Sequence, residues 1–225
     1  MERTRLAILH YSALPLTGDV ESTIADQARR FADRGCTVKV IVGRGEPFDP
    51  RVALQIIPLV DSKHSFVLQV TRKLESGIVN RDFYSLTAAI RHILKDALTD
   101  TDVCIAHNIL TLHKNLALTV ALHELTRTNR LRLIGWCHDL AWQDPVYARE
   151  LYAGSPWDLL RQVWPGARYV VVSETRREQL SRLLGLDEAD IAVVPPDSDA
   201  SEFLGIDQMA TGWTSNSKAV KATRA

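Results

Sequence analysis

The sequence predicts a domain of the α/β class, with a mainly parallel sheet and helices on both of its faces. Short apolar runs alternate with amphipathic segments between residues 5 and 196, which is typical of βαβ units. The apolar runs are nearly continuous, without alternating polar residues, as expected for strands buried on both faces. Such sheets bind ligands beyond the carboxyl ends of their strands, so residues that follow a strand are the candidates for a site.

The amino-terminal part of the chain begins with a predicted strand over residues 6–9. Apolar residues then recur at helical spacing over residues 20–34, which predicts a helix with Asp19 as N-cap and Gly35 as the glycine that ends it. The next predicted elements are strands over residues 36–42 and 54–59 and a helix over residues 82–98.

The second part of the chain continues the same alternation and ends several strands in polar residues. Polar clusters follow three predicted strands, as "HYSALPLTGD", "AHN" and "CHD". Because equivalent strand ends meet at one edge of a parallel sheet, the three clusters indicate a shared cleft. The predicted strands cover residues 102–108, 131–139, 167–174 and 190–196, and the predicted helices cover residues 116–125 and 175–184.

Composition excludes several classes of partner. Lysine plus arginine and aspartate plus glutamate number 27 each, so the charge gives no reason to expect nucleic acid. No apolar run approaches the ~20 residues of a membrane span, and the amino terminus lacks a signal-peptide pattern. The three cysteines are scattered in apolar runs, which favours reduced thiols and a cytoplasmic location.

Four segments, taken in order, resemble a known family. They are "LTGDVESTIADQARRFADRGCTVKVIV", "DVCIAHN", the strand ending in "CHD", and "ARYVVVSETRREQLSRLLGLDEADIAVVPPDSDASEF". The chain resembles the amino-terminal domain of GT-B-fold glycosyltransferases, most closely the retaining family 4, over about residues 5–204. It departs from the family in having one glycine, Gly18, where two are frequent, and "PPDSD" where "PNGVD" is typical.

The resemblance implies a Rossmann-like domain that forms one half of a GT-B fold. It also implies transfer of a sugar from a nucleoside-diphosphate sugar to an acceptor hydroxyl with retention, without a further cofactor or a metal. We expect residues 1–204 to be the acceptor-side domain and residues 205–225 to be a disordered or truncated tail. The second, nucleotide-sugar domain is not recognisable, so we expect the chain alone to be inactive and to need a separately encoded carboxy-terminal domain.

Two other functions remain open from the residues themselves. The chain could be a non-enzymatic binding or interaction module that keeps the fold without the reaction. A nicotinamide-dependent oxidoreductase is disfavoured, because the dinucleotide fingerprint of spaced glycines is missing.

Five residues are candidates for the site, two of them through the resemblance and three through their positions at strand ends. The resemblance implies that His138 contacts the donor sugar, and that Gly18, at a helix amino terminus, approaches the donor diphosphate. His107 and Asn108 would contact acceptor hydroxyls, and Asp139 would orient His138 or serve the acceptor. Structural alternatives remain for three of these residues: His138 as a strand cap, Gly18 as an ordinary turn, and one of His138 and Asp139 in a structural role.

Overall fold

The computed structural model describes residues 3–16, 18–128 and 131–196, and it confirms the α/β prediction. One sheet contains seven strands, all parallel to their neighbours. The strands are β1 (Arg5–Leu9), β2 (Thr37–Val42), β3 (Val52–Ile56), β4 (Val103–His107), β5 (Arg132–Cys137), β6 (Arg168–Val171) and β7 (Ile191–Val193).

Helices cover both faces of this sheet. The long helices are α1 (Asp19–Asp33), α2 (Ser65–Leu74), α3 (Arg81–Ala97), α4 (Leu116–Thr128) and α5 (Glu174–Leu184). On one face α1 buries Ile24, Ala28 and Phe31 against the strands. The core on the other face is formed with side chains of α2, α3, α4 and α5. No helix in the described parts of the chain is long and apolar enough to cross a membrane.

The strand order explains where a ligand can reach the sheet. The order is β3-β2-β1-β4-β5-β6-β7, so the chain moves from β1 in one direction to β3 and then restarts beside β1 with β4. The loops after β1 and β4 therefore leave the sheet in opposite directions and open a crevice at the carboxyl ends of these two strands. In open α/β sheets this switch point is the usual ligand site.

The structure corrects three details of the sequence prediction. The third strand spans Val52–Ile56, not residues 54–59, because Pro58 begins a short 3₁₀ turn (Pro58–Val60) and lacks the N–H that a strand needs. The N-cap of α1 is Gly18, and Asp19 is already helical. The sequence prediction missed α2, which has only ten residues.

The prediction for the end of α1 is confirmed, and α5 begins at a capping side chain. Gly35 has φ +83° and its N–H donates to the carbonyl of Ala32, so it ends α1 as a left-handed residue. Ser173 caps α5 by accepting a hydrogen bond from the N–H of Arg176. The predicted tail, residues 205–225, lies outside the described residues.

Candidate functional site

Two histidines meet at the switch point of the sheet. His10 directly follows β1, and His107 is the last residue of β4. The Nδ1–H of His10 donates to the carbonyl oxygen of His107 over 3.0 Å, and both side chains are buried. This bond joins the ends of the two strands between which the strand order reverses, so it lies where the fold predicts a site.

His107 continues the contact to a third histidine. Its Nδ1 lies 2.9 Å from Nε2 of His138, and its Nε2 lies 3.1 Å from Oε1 of Gln27 on α1. The ring of Trp136 stacks on the ring of His107, with centroids 5.5 Å apart. His107 is fully buried and His138 is partly exposed, so His138 is the part of this chain of side chains that solvent or a ligand can reach.

Asn108 holds the segment that presents His138. Its backbone has φ 60°, a left-handed conformation that asparagine tolerates better than most residues. Its Oδ1 accepts hydrogen bonds from the backbone N–H groups of His138 (2.8 Å) and Asp139 (3.1 Å), and its Nδ2 donates to Oδ2 of Asp139. Asn108 is 3% exposed, so its amide is used within the protein.

Asp139 faces the other border of the site, toward α5. Its Oδ1 lies 3.5 Å from a terminal nitrogen of Arg176, in the first turn of α5. Both side chains are partly exposed, so water weakens this ion pair. Asp139 is thereby held between Asn108 and Arg176, beside His138.

The amino terminus of α1 forms the border of the site on the β1 side. Gly18 is the N-cap of α1, and a carboxylate oxygen of Glu21 lies so close that a Cβ on Gly18 would collide with it. The other oxygen of Glu21 accepts a hydrogen bond from Oγ of Ser12 (2.7 Å) and lies 4.0 Å from Nε2 of His10. A carboxylate thus already interacts with the positive end of α1.

All three histidines are neutral near pH 7. Burial lowers the pKa of His10 to about 4. The bond to the His107 carbonyl and the charge of Glu21 raise this pKa, but by less than burial lowers it. Burial, and the nearby His10, lower the pKa of His138 to about 4. Burial lowers the pKa of His107 well below 6.5, and His138 and His10 lower it further. The site therefore offers neutral donors and acceptors and no histidine cation.

The structure brings together the five residues that the sequence indicated, at one edge of the sheet. His138 and Asp139 are accessible, Gly18 lies at the neighbouring helix terminus, and His107 and Asn108 are buried beneath them. The roles in binding remain predictions. No group of three His, Cys, Asp or Glu side chains within residues 3–16, 18–128 and 131–196 is arranged to hold a metal ion.

Four polar residues of the site were missed by sequence reasoning. A signal existed for Gln27, because it lies on the apolar stripe of α1 between Ile24 and Phe31, where a polar residue needs a buried partner. The other missed residues, His10, Ser12 and Glu21, lie in or just after the first polar strand end.

Comparisons with known proteins bear on the family and the fold of this chain. Residues 20–200 match the family described as Glycosyltransferase Family 4. A segment of 96 residues is 29% identical to the mannosylglucosylglycerate synthase of Petrotoga mobilis. This match covers 40% of this chain and 21% of that enzyme. The crystal structure of WaaG, a glycosyltransferase involved in lipopolysaccharide biosynthesis, superimposes with a TM-score of 0.53 at 13% identity.

These relatives are longer than the matched region. The WaaG superposition covers 84% of this chain and 44% of WaaG, so the chain spans less than half of the proteins it matches here. At this level of identity the likeness to WaaG establishes the fold, that of the amino-terminal half of a GT-B glycosyltransferase.

Proposed function

The chain belongs to Glycosyltransferase Family 4, and from this premise we propose that it takes part in retaining transfer of a sugar from a nucleoside-diphosphate sugar to an acceptor hydroxyl. The observation that best supports the proposal is the position of His138. It is partly exposed after β5, next to the switch point of the sheet, and contacts the buried residues His107 and Asn108. A neutral imidazole held in this way can bind a sugar hydroxyl without the cost of burying a charge.

Each border of the site has its own proposed role. His138 contacts the transferred sugar, and Asp139 binds the acceptor or orients His138. His107 and Asn108 are buried and support His138 and Asp139 from below. An acceptor hydroxyl can therefore reach His107 or Asn108 only if the loop after β5 moves. At Gly18 the donor diphosphate takes the place of the Glu21 carboxylate, which must rotate away because the helix terminus cannot hold both anions.

The opposing wall of the cleft is the remaining part of this proposal. His138, Asp139 and Gly18 form one wall, and catalysis by positioning needs the donor held from the other side as well. We propose that a second domain, on the same or a separately encoded chain, closes over this wall and holds the nucleotide. The 225-residue chain alone then has no transferase activity.

The test uses the 225-residue chain alone and together with a candidate second domain. The readout is release of nucleoside diphosphate from a panel of UDP-, GDP- and ADP-sugars, each mixed with hydroxyl-bearing acceptors that receive the sugar. We expect no release by the chain alone and release by the pair, reduced at least ~100-fold by His138→Ala and unchanged by His92→Ala, which alters an exposed histidine on α3. Turnover by the chain alone contradicts the need for a second domain. Full activity of His138→Ala contradicts the role of His138, and nucleotide-sugar binding without transfer in the pair favours a binding module.

A further inference from the structure

We propose that Gln27 and His107 are positioning residues that fix the tautomer of His138, so that His138 offers an unprotonated Nδ1 to a hydroxyl of the sugar. The inference rests on the proposed function for the identity of the ligand. The direction of the hydrogen bonds, however, is a property of the protein without a ligand. It can therefore fail, or hold, independently of the transferase reaction.

The first step is the bond between Gln27 and His107. In the amide orientation of this structure, Oε1 of Gln27 faces Nε2 of His107 at 3.1 Å, and because a carbonyl oxygen only accepts, this nitrogen carries the proton and donates. A neutral imidazole has one N–H, and burial keeps His107 neutral by lowering its pKa well below 6.5. Nδ1 of His107 therefore has a lone pair and is an acceptor.

The second step determines which ring nitrogen of His138 carries the proton. Nε2 of His138 lies 2.9 Å from the unprotonated Nδ1 of His107, so it must carry the proton and donate. His138 is also neutral near pH 7, because burial lowers its pKa to about 4. Its own Nδ1 is then an acceptor, and it makes no hydrogen bond with any residue in the described part of the chain. A ligand hydroxyl can donate to it.

The position of Gln27 argues that this direction of the hydrogen bonds has a use. Gln27 is 5% exposed and faces the sheet on the same stripe of α1 as Ile24 and Phe31, where an apolar side chain would pack without a polar group to satisfy. His107 in turn is fully buried in the last position of β4. Two buried polar side chains thus connect the helix to one partly exposed ring, and His138 is where the connection reaches the surface.

The experiment observes the proton directly in the 225-residue chain. Two-dimensional ¹H–¹⁵N spectra of histidine-labelled protein at pH 7 identify the protonated ring nitrogens. Coupling across the hydrogen bond between the two imidazoles shows which one donates. We expect the proton on Nε2 of His138, with coupling to Nδ1 of His107, and a second proton on Nε2 of His107. A proton on Nδ1 of His107 that couples to Nε2 of His138 overturns the proposal, and the wild-type protein alone suffices for this result.

The role of Gln27 is tested by Gln27→Met, which keeps the length of the side chain and removes the strong acceptor. Without that acceptor His107 can carry its proton on Nδ1, so we expect the share of the proton on Nε2 of His138 to fall. The control is Gln162→Leu, at an exposed position, which should leave the spectrum of His138 unchanged. An unchanged His138 spectrum in folded Gln27→Met removes Gln27 from the proposal.

An active pair of domains allows a functional measurement. There, Gln27→Met should lower kcat at least ~10-fold with a smaller change in the KM for the donor, because the ring stays in place but presents the wrong nitrogen for part of the time. An unchanged kcat together with a changed tautomer contradicts the use of Nδ1 in the reaction. If no nucleotide sugar is turned over while the protons lie as expected, the proposed function fails and the inference about the tautomer stands.

Discussion

Nδ1 of His107 lies 2.9 Å from Nε2 of His138, although the two residues are 31 positions apart and lie at the ends of different strands. The register of β4 and β5 produces this contact, because His107 pairs with Trp136 and His138 comes two residues later. Two charged imidazoles cannot share this hydrogen bond, because neither ring would keep a lone pair to accept it, so the contact links the local structure of the site to pH.

The first prediction concerns stability and pH. His10, His107 and His138 have pKa values below 6.5 in the folded protein, about 4 for His10 and His138. Between pH 4 and 6.5 the unfolded chain therefore binds more protons, and the free energy of unfolding should rise with pH by at most about 1.4 kcal/mol per pH unit for each histidine. Urea unfolding at pH 5 and pH 7 measures it.

A control separates the histidines from the carboxylates. Asp102 bonds Arg5, which lowers the pKa of its carboxyl group below the ordinary value of 3.8. The stability that this bond contributes is lost only when the pH falls toward and below 3.8. His138→Asn should make the dependence between pH 5 and 7 less steep, whereas His92→Asn should not. Equal stability of the wild-type protein at the two pH values would contradict the prediction.

The second prediction separates the two tasks of Asn108. Asn108→Gly tolerates φ 60° but removes the acceptor of two backbone N–H groups, so we expect a loss of about 1–3 kcal/mol in the free energy of unfolding. Asn108→Ala loses the same acceptor and must also adopt the left-handed conformation, which should cost about 1 kcal/mol more. Chemical denaturation of both variants measures the difference, and equal stabilities would show that the backbone conformation is not costly.

The third prediction tests the amino terminus of α1. Gly18 has φ −155°, an extended conformation open to any residue, and only the movable carboxylate of Glu21 obstructs a Cβ. Gly18→Ala should therefore change the free energy of unfolding by less than about 1 kcal/mol. It should nevertheless weaken binding of a nucleotide sugar by an active pair of domains, because the methyl group and the displaced Glu21 occupy the proposed diphosphate position.

Gly185→Ala provides the contrast for this experiment. Gly185 has φ +68° at the end of α5, away from Gly18, so alanine should destabilise by about 1 kcal/mol and leave binding unchanged. The proposed role of Gly18 would be refuted if Gly18→Ala bound the nucleotide sugar as tightly as the wild-type protein.

The fourth prediction concerns a lysine in β2. Nζ of Lys39 donates to the carbonyl of Ala97 (2.6 Å), at the end of α3, and to Asp100 (3.0 Å). Lys39→Met should lower the free energy of unfolding by about 1 kcal/mol, because the last turn of α3 loses a charged donor. Asp100→Asn should have a smaller effect, since that side chain is 69% exposed and water screens its charge. Thermal unfolding of both variants tests the order, and a larger effect at Asp100 would contradict it.

The strands of the core could be predicted because strands buried on both faces consist of nearly continuous apolar runs. The ends of some elements could not be predicted, because local interactions decide where they begin and end. Pro58 ends β3 early, and the ring of His64, which is not a usual capping residue, caps α2. His138 and Asp139 could be predicted by the rule of strand ends. The buried bonds of Asn108 could not, because its φ of 60° and its partners 30 and 31 residues away depend on the assembled sheet.

The bond between His10 and His107 joins residues that are 97 positions apart in the chain. During translation β1, α1, β2 and β3 leave the ribosome first, and β1 keeps one apolar edge without a neighbour until β4 follows. At ~5–20 residues per second, this interval lasts about 5–20 s. Over that period the edge of β1 that pairs with β4 in the folded protein has no partner strand, and an unpaired strand edge is open to pairing with other chains.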